Sequence, residues 1–170
     1  MRWGPLIFLC VVVGGIGFAM IRLQLRENRN APLKQWVRSQ PITFSGRALV
    51  RKRANGGVGW VDLKSLSGVR LLVREQGIEV SLAPPMDRIM STAEYLRADE
   101  ATMWRDSIGW SGSPIARRDC IRLDGTDVNG KIELAISPVD VSMDDAWNAL
   151  VRAGVIPFTG APPTDGTYKR

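Results

Sequence analysis

The chain has no histidine and only two cysteines among its 170 residues. Without histidine, the commonest general base and the commonest metal ligand are both missing. Cys10 and Cys120 cannot supply a zinc site of four ligands, and Cys10 lies in an apolar N-terminal run, which argues against a disulfide framework. Serine–histidine and cysteine–histidine catalysis, histidine zinc hydrolases and disulfide scaffolds are therefore not expected. No catalytic, cofactor or metal site is predicted.

Charge is also missing near the N terminus, where residues 4–21 form an uninterrupted uncharged run. A helix of that length spans roughly 27 Å, close to the ~30 Å hydrocarbon core of a bilayer. Trp3 precedes the run and Arg22 and Arg26 follow it, as is typical of membrane interfaces. We therefore predict a transmembrane anchor over residues 1–21. A cleaved signal peptide, processed at 17–19, and a buried helix of a soluble protein are the alternatives.

The basic residues on the two sides of this run are unequal in number. Arg2 stands before it, whereas five basic residues follow within about twenty positions: Arg22, Arg26, Arg29, Lys34 and Arg38. The positive-inside rule then predicts the N terminus outside and the C terminus inside. A lone Cys120 in the folded part suits a reducing compartment. We expect a single-pass protein of a cell membrane, of the bacterial inner-membrane kind, oriented N-out/C-in.

Positive charge is concentrated next to the predicted anchor. Residues 22–53 contain nine of the 23 basic residues and one of the 17 acidic ones. Basic side chains beside an anionic leaflet can each gain roughly 1 kcal/mol, although a topology signal and a solvated linker would give the same pattern. The candidate contacts with anionic lipid headgroups are Arg22, Arg26, Arg29, Arg51, Lys52 and Arg53. Nucleic acid is not an expected partner, because the folded part has no basic–aromatic stripe.

The remainder of the chain divides into a linker, a β domain and a tail. Residues 28–32 predict a break after the anchor, so residues 22–41 are interpreted as a basic juxtamembrane linker. Alternating apolar residues then predict about seven short antiparallel strands, with a bend or bulge at Gly46. The clearest hairpin joins residues 69–73 to residues 77–82. Residues 155–170 are rich in proline, glycine and threonine and are expected to form a flexible tail.

One amphipathic helix is predicted at the end of the β domain. Ser142 is a suitable N-cap, Asp144 and Asp145 occupy the first turn, and Gly154 suits the position after the last turn. An apolar stripe is expected at Met143, Ala146, Trp147, Leu150 and Val151. The folded domain would therefore extend over residues 42–154.

This order of strands followed by a helix resembles the pleckstrin-homology-like (PH-like) fold. It is also similar to membrane-anchored bacterial proteins of unknown function that carry a PH-like domain. The resemblance is architectural and without a diagnostic motif. It implies an α+β protein: a transmembrane helix, then a mainly antiparallel domain of about seven strands closed by one C-terminal helix. In lipid-binding members, basic residues of the first hairpin grip phosphates, and the similar segment here is 46–53.

The functional prediction follows from the anchor and this resemblance. We expect a non-enzymatic interaction or scaffold module that presents a PH-like domain at the cytoplasmic membrane face. Its partners would be the bilayer and an unidentified protein. The alternative is an assembly subunit of an envelope or secretion machine, with its soluble domain on the extracytoplasmic side. Cys120 is interpreted as a buried structural thiol, Asp99 and Glu100 as an exposed turn, and residues 124–130 as a hairpin connection rather than a calcium loop.

Overall fold

The computed structural model describes residues 4–54, 61–63, 69–82, 93–110, 113–127 and 130–160. Within these residues the chain forms two helices and nine strands. In chain order they are α1 (Gly4–Ser39), β1 (Ile42–Ala54), β2 (Val61–Leu63), β3 (Val69–Arg74), β4 (Gly77–Leu82), β5 (Glu94–Arg97), β6 (Thr102–Trp110), β7 (Ser113–Asp127), β8 (Gly130–Pro138), α2 (Met143–Ala153) and β9 (Ile156–Pro157).

All nine strands belong to one sheet, in the order β5-β4-β3-β1-β8-β7-β6-β9, with β2 paired to β1 outside this path. The pairings are antiparallel except that between β6 and β9. The hairpin predicted from residues 69–73 and 77–82 is confirmed as β3 and β4, with Val69 opposite Leu82. The result is a mixed α/β domain built on a single large sheet.

One face of this sheet, the inner face, carries the apolar core. Leu71, Ile78, Leu123 and Leu134 are fully buried there and pack in one cluster with α2. Each such side chain contributes about 2 kcal/mol of burial free energy. A Cβ placed on Gly125 of β7 would lie 3.2 Å from a methyl group of Leu96 on β5. Because β5 and β7 are distant in the strand order, this contact shows that the sheet curls around its inner face.

Helix α2 begins and ends as the sequence predicts. The Ser142 hydroxyl accepts a hydrogen bond from the backbone N–H of Asp145 at 3.0 Å, and Gly154 has φ of 106°. That positive φ favours glycine, which lacks a Cβ. The buried stripe differs from the predicted one, since Val151 is 41% exposed. Its buried members are Ala146, Ala149, Leu150 and Ala153.

The opposite face, the outer face, is covered by the distal part of the β6–β7 hairpin. Strand β7 pairs with β8 only from Ile121 onward, so Ser113 and residues 117–120 pair with β6 alone. We call residues 106–110 and 113–120 the arm. Arg51 of β1 donates a hydrogen bond to the carbonyl oxygen of Gly109 at 2.5 Å. Because β8 and β7 separate β1 from β6 in the sheet, the arm must bend over the outer face for this contact to form.

Helix α1 runs without interruption from Gly4 to Ser39, with Pro32 inside it. The predicted break at residues 28–32 is therefore wrong, and most of the predicted linker over 22–41 is helical. Proline removes one backbone hydrogen bond from a helix interior, but the following turns are held against the sheet. Val37 is fully buried beside Gly77, where a Cβ would lie 3.1 Å from either methyl group of Val37.

The extent of α1 also contradicts the predicted transmembrane anchor. Residues 4–21 were predicted to form a separate helix ending at a basic flank, whereas they are the first half of α1, which continues through polar sequence to the sheet. Among the described residues, no helix is long and apolar enough to cross a membrane. The predicted fold class, the single-pass bacterial inner-membrane location and the N-out/C-in orientation are therefore not supported.

The strand predictions also need correction, because the sheet has nine strands rather than about seven. Residues 156–157, predicted as flexible tail, form β9 beside Thr102 and Met103. The register shift in β1 lies between Ile42 and Phe44 rather than at Gly46. Gly46 instead allows a close approach, since a Cβ there would lie 3.1 Å from Val141.

The cap of α2 can be tested by replacing Ser142 with alanine. The substitution removes the acceptor for the Asp145 N–H, so we expect the free energy of unfolding to fall by about 1 kcal/mol in urea denaturation. Ser45 is exposed in β1, and its replacement by alanine is the matched control. Equal effects of the two substitutions would contradict a stabilising cap.

Candidate interaction surface

The three consecutive basic residues of β1 do not form a shared anion site. Successive strand residues point to opposite faces, so Lys52 is directed away from Arg51 and Arg53. Lys52 Nζ lies 2.5 Å from a Glu94 carboxylate oxygen, Arg53 forms an ion pair with Glu133, and Arg51 binds the Gly109 carbonyl. Each cation is thus engaged within the fold. These contacts disfavour the predicted use of the three residues as one phosphate site.

The other candidate lipid contacts lie on α1. Arg29 is exposed to solvent. Arg22 and Arg26 are part of the same helix, but their side chains lie outside the described part of the structure. No contact among the described residues joins Arg29 to the three basic residues of β1. The six predicted residues therefore do not form one described site.

A buried ionic network lies on the outer face beneath the arm. Arg122 is 1% exposed, donates to Asp106 at 2.7 Å and also pairs with Glu133, which in turn binds Arg53. The Arg122 guanidinium lies 5.2 Å from the centre of the Trp104 ring. Two cations and two carboxylates balance one another, which offsets part of the cost of burying them. This network joins the arm to β7, β8 and β1 and has an internal, structural role.

Cys120 is the neighbour of this network and is 1% exposed. Burial, with the nearby Asp106 carboxylate second, raises the pKa of its thiol to about 12, and Arg122 opposes the rise. The thiolate is the nucleophilic form of cysteine. The expectation of a buried structural thiol is therefore confirmed, and Cys120 is a poor nucleophile near neutral pH.

The paired acids also have structural partners. Arg97 hydrogen-bonds Asp99 and holds the pKa of that carboxyl below its ordinary value, and Arg97 also pairs with Glu100. Asp144 pairs with Arg105 at 2.5 Å. Among the described residues, no group of three or more histidine, cysteine, aspartate or glutamate side chains could hold a metal ion. The acids thus stabilise turns and a helix start.

The last turns of α1 are fastened to the outer face around Glu79, which is 2% exposed. Its carboxylate accepts hydrogen bonds from Arg38 at 2.8 Å and from Arg74 at 3.2 Å. Arg74 also donates to the carbonyl oxygen of Gln40 at 2.7 Å, just beyond the helix end. The Arg38 guanidinium lies 5.6 Å from the centre of the Tyr95 ring. Burial, with the Glu79 charge second, raises the pKa of Tyr95 to about 12.

A second contact strengthens this attachment. The Arg97 guanidinium of β5 lies 5.1 Å from the centre of the Trp36 ring on α1, a distance at which a cation and an aromatic ring attract. Together with buried Val37, it completes three kinds of contact: ionic, cation–π and apolar. The end of α1 is therefore held in one orientation relative to the sheet.

The earlier part of α1 exposes its apolar side chains instead. Val11 is 68% exposed, Phe18 and Ile21 are each 60% exposed, and Leu25 is 54% exposed. A Cβ placed on Gly14 would have no neighbouring atom within 4 Å. Val12 and Val13 are exposed as well, at 39% and 60%, so apolar side chains are exposed on more than one side of the helix. Val11, Gly14, Phe18, Ile21 and Leu25 are separated by alternate steps of three and four and lie along one side of it. We call this strip the α1 seam. The sequence analysis missed it as an interaction surface, because it interpreted these residues as a membrane anchor.

The buried state of Cys120 can be tested by thiol labelling. In a Cys10→Ser background, raising the pKa from its ordinary 9.0 to about 12 lowers the thiolate fraction at pH 8 roughly a thousandfold. We expect labelling by a disulfide reagent to be slower than in urea by at least that factor. Because the pKa of Cys120 is higher in the folded than in the unfolded chain, the folded state favours the neutral thiol. The contribution of this thiol to the free energy of unfolding is therefore fully present below pH 9 and is lost as pH rises toward 12. Fast labelling of the folded protein would contradict this.

The attachment of α1 can be tested by replacing Glu79 with glutamine. Arg74 would then lose the charge that compensates it in a buried setting, which costs about 3 kcal/mol. We expect amide hydrogen exchange over residues 33–39 to become about a hundredfold faster. Glu100→Gln is the matched control, because its partner Arg97 is exposed and such pairs contribute about 1 kcal/mol or less. Unchanged exchange in Glu79→Gln would contradict the assigned role of Glu79.

Comparison with known proteins gives no relative for this chain. No family model matches it, no curated protein matches it, and no solved structure matches it. The resemblance to PH-like membrane-anchored proteins therefore stays a prediction from the order of the elements. What the chain does must be inferred from its own side chains.

Proposed function

We propose that this chain is a non-enzymatic protein-interaction module. In this proposal the sheet domain holds α1 in one orientation, and the α1 seam binds a protein partner. The observation that supports it is the contrast within α1: its last turns are fastened through Val37, Arg38 and Trp36, whereas Phe18 and Ile21 remain 60% exposed. An exposed apolar surface on a helix whose end is fixed is typical of a protein-interaction site.

The apolar side chains of the seam can supply much of the free energy that binding a partner requires. Burying one large apolar side chain contributes about 1.5–3 kcal/mol, and the seam has four such side chains: Val11, Phe18, Ile21 and Leu25. Micromolar affinity requires about 8 kcal/mol. The seam can therefore supply a large part of that value, and a helix that is already fixed loses little further conformational entropy on binding.

The chemistry of the polar residues supports a non-enzymatic role. Cys120 is buried with a pKa raised to about 12, and Asp99 is held in its ionised form by Arg97. A general acid or base needs a pKa near the operating pH, which neither group has. The second function predicted from the sequence, an assembly subunit of an envelope or secretion machine, stays a prediction.

The proposal is tested by photocrosslinking in the cells that produce the chain. A benzophenone amino acid at position 21 lies in the seam, so we expect it to form a discrete adduct with a protein. The same amino acid at position 118, in the exposed part of the arm, is the matched control and is expected to form none. Absence of an adduct from position 21, or the same adducts from both positions, would overturn the proposal.

A further inference from the structure

We infer that the sheet edge formed by β6 and β9 is closed to strand addition by the chain's own groups, with Arg117 as the principal cap. A sheet edge carries unpaired N–H and C=O groups, which are a template for a strand of another molecule. Among the described residues, β9 is the last strand at this end of the sheet, and it pairs only with Thr102 and Met103 of β6. This surface lies apart from the α1 seam, and the inference does not depend on the proposed function.

The contacts of β9 show which backbone groups of β6 point outward, away from β7. The N–H groups of Ile156 and Phe158 donate to the carbonyl oxygens of Ala101 at 3.0 Å and of Met103 at 2.7 Å. Backbone groups of every second residue in a strand point to the same side, and the register of β6 with β7 has no shift as far as Gly109. The outward positions of β6 beyond β9 are therefore Arg105, Ser107 and Gly109.

Both backbone groups of Ser107 are bound by side chains of the chain itself. Its carbonyl oxygen accepts two hydrogen bonds from Arg117 of β7, one from Nε at 3.0 Å and one from a terminal amino group. Its N–H donates to a carboxylate oxygen of Asp106 at 2.7 Å. Asp106 is fixed in turn by the buried Arg122, also at 2.7 Å. A strand from another molecule would have to displace these side chains before it could pair with Ser107.

The positions on both sides of Ser107 are closed by other means. The Gly109 carbonyl oxygen accepts a hydrogen bond from Arg51 at 2.5 Å, because the arm bends over the outer face. On β9 the N–H groups before and after Pro157 point to β6, so Pro157 takes the outward position, and proline has no N–H to offer. Proline and charged side chains are common means of protecting a sheet edge. Arg105, the remaining outward position, lies between these closed positions and is too short a stretch for a strand to pair with.

Removing the Arg117 side chain would open the longest stretch of this edge. The carbonyl of Ser107 would then be accessible beside the backbone of Arg105. The same edge of a second copy is the partner that is always present at equal concentration, and two such edges can pair antiparallel about a two-fold axis. Arg117 is exposed, so its truncation leaves no buried unpaired charge. The expected variant therefore keeps the fold and gains self-association.

The experiment compares the association constant of Arg117→Ala with that of the wild type by sedimentation velocity over a series of protein concentrations. We expect a rise of about tenfold, since each accessible backbone hydrogen bond contributes a factor of about two to ten. Arg118→Ala is the matched control, because Arg118 is the exposed neighbour and its loss changes the net charge equally. This control is expected to associate as the wild type does.

A second variant tests the same edge through β9. Pro157→Ala restores an N–H at the outward position, and we expect it to raise the association constant by itself. Urea denaturation verifies that Arg117→Ala is folded, and Pro157→Ala carries the comparison with Arg118→Ala if it is not. The two variants act on different strands, so a rise in both would identify this edge.

Amide hydrogen exchange then locates the new contact. In Arg117→Ala, exchange over residues 105–109 is expected to slow as the protein concentration rises, whereas in the wild type it should not change. Association of Arg117→Ala no greater than that of Arg118→Ala would overturn the inference. Slowing confined to residues 11–25 would also overturn it, because the copies would then meet through the α1 seam. Neither result would affect the test of the proposed function by crosslinking from position 21.

Discussion

The sheet carries apolar side chains on both faces, with Leu72, Tyr95 and Trp104 buried on the outer one, so both faces have to be covered. Strand residues alternate between the faces, so a sheet of nine strands cannot be satisfied by one apolar core. The inner face is closed by its own curvature and by α2, as the contact between Gly125 and Leu96 shows. The outer face is covered by the arm and by the last turns of α1. The direction of α1, and with it the position of the seam, follows from this requirement.

The two faces are closed by different chemistry. The inner face is aliphatic, whereas the outer face has Arg122 paired with Asp106 and Glu133 under the arm, and Glu79 paired with Arg38 and Arg74 under α1. Buried ion pairs add little net stability compared with apolar contacts, but removing one partner is costly. A misplaced arm or helix would leave such a charge unpaired. The outer face therefore restricts how its covers can dock more than it adds to stability.

Local signals in the sequence were sufficient for part of this architecture. The cap at Ser142, the end at Gly154 and the β3–β4 hairpin depend on residues close together in the chain, and the structure confirms them. The contacts of Lys52 with Glu94 and of Arg53 with Glu133 join residues 42 and 80 positions apart. No local pattern shows such pairs, so three adjacent basic residues suggested a site that the fold divides between two faces.

The difference between local and long-range contacts also explains why the sequence predicts an anchor where the structure has the first half of α1. Read locally, its uncharged run and basic flank predicted an anchor, because the contacts that hold the helix come from β3, β4 and β5. The first turn of an isolated helix is costly to form in water, because it fixes several residues for one hydrogen bond. Docking of the last turns supplies that nucleus, so under the proposed function the seam would be helical before a partner binds. The proposed binding at the seam would therefore be linked to the Glu79 contacts: whatever loosens the attachment would also raise the entropic cost of binding.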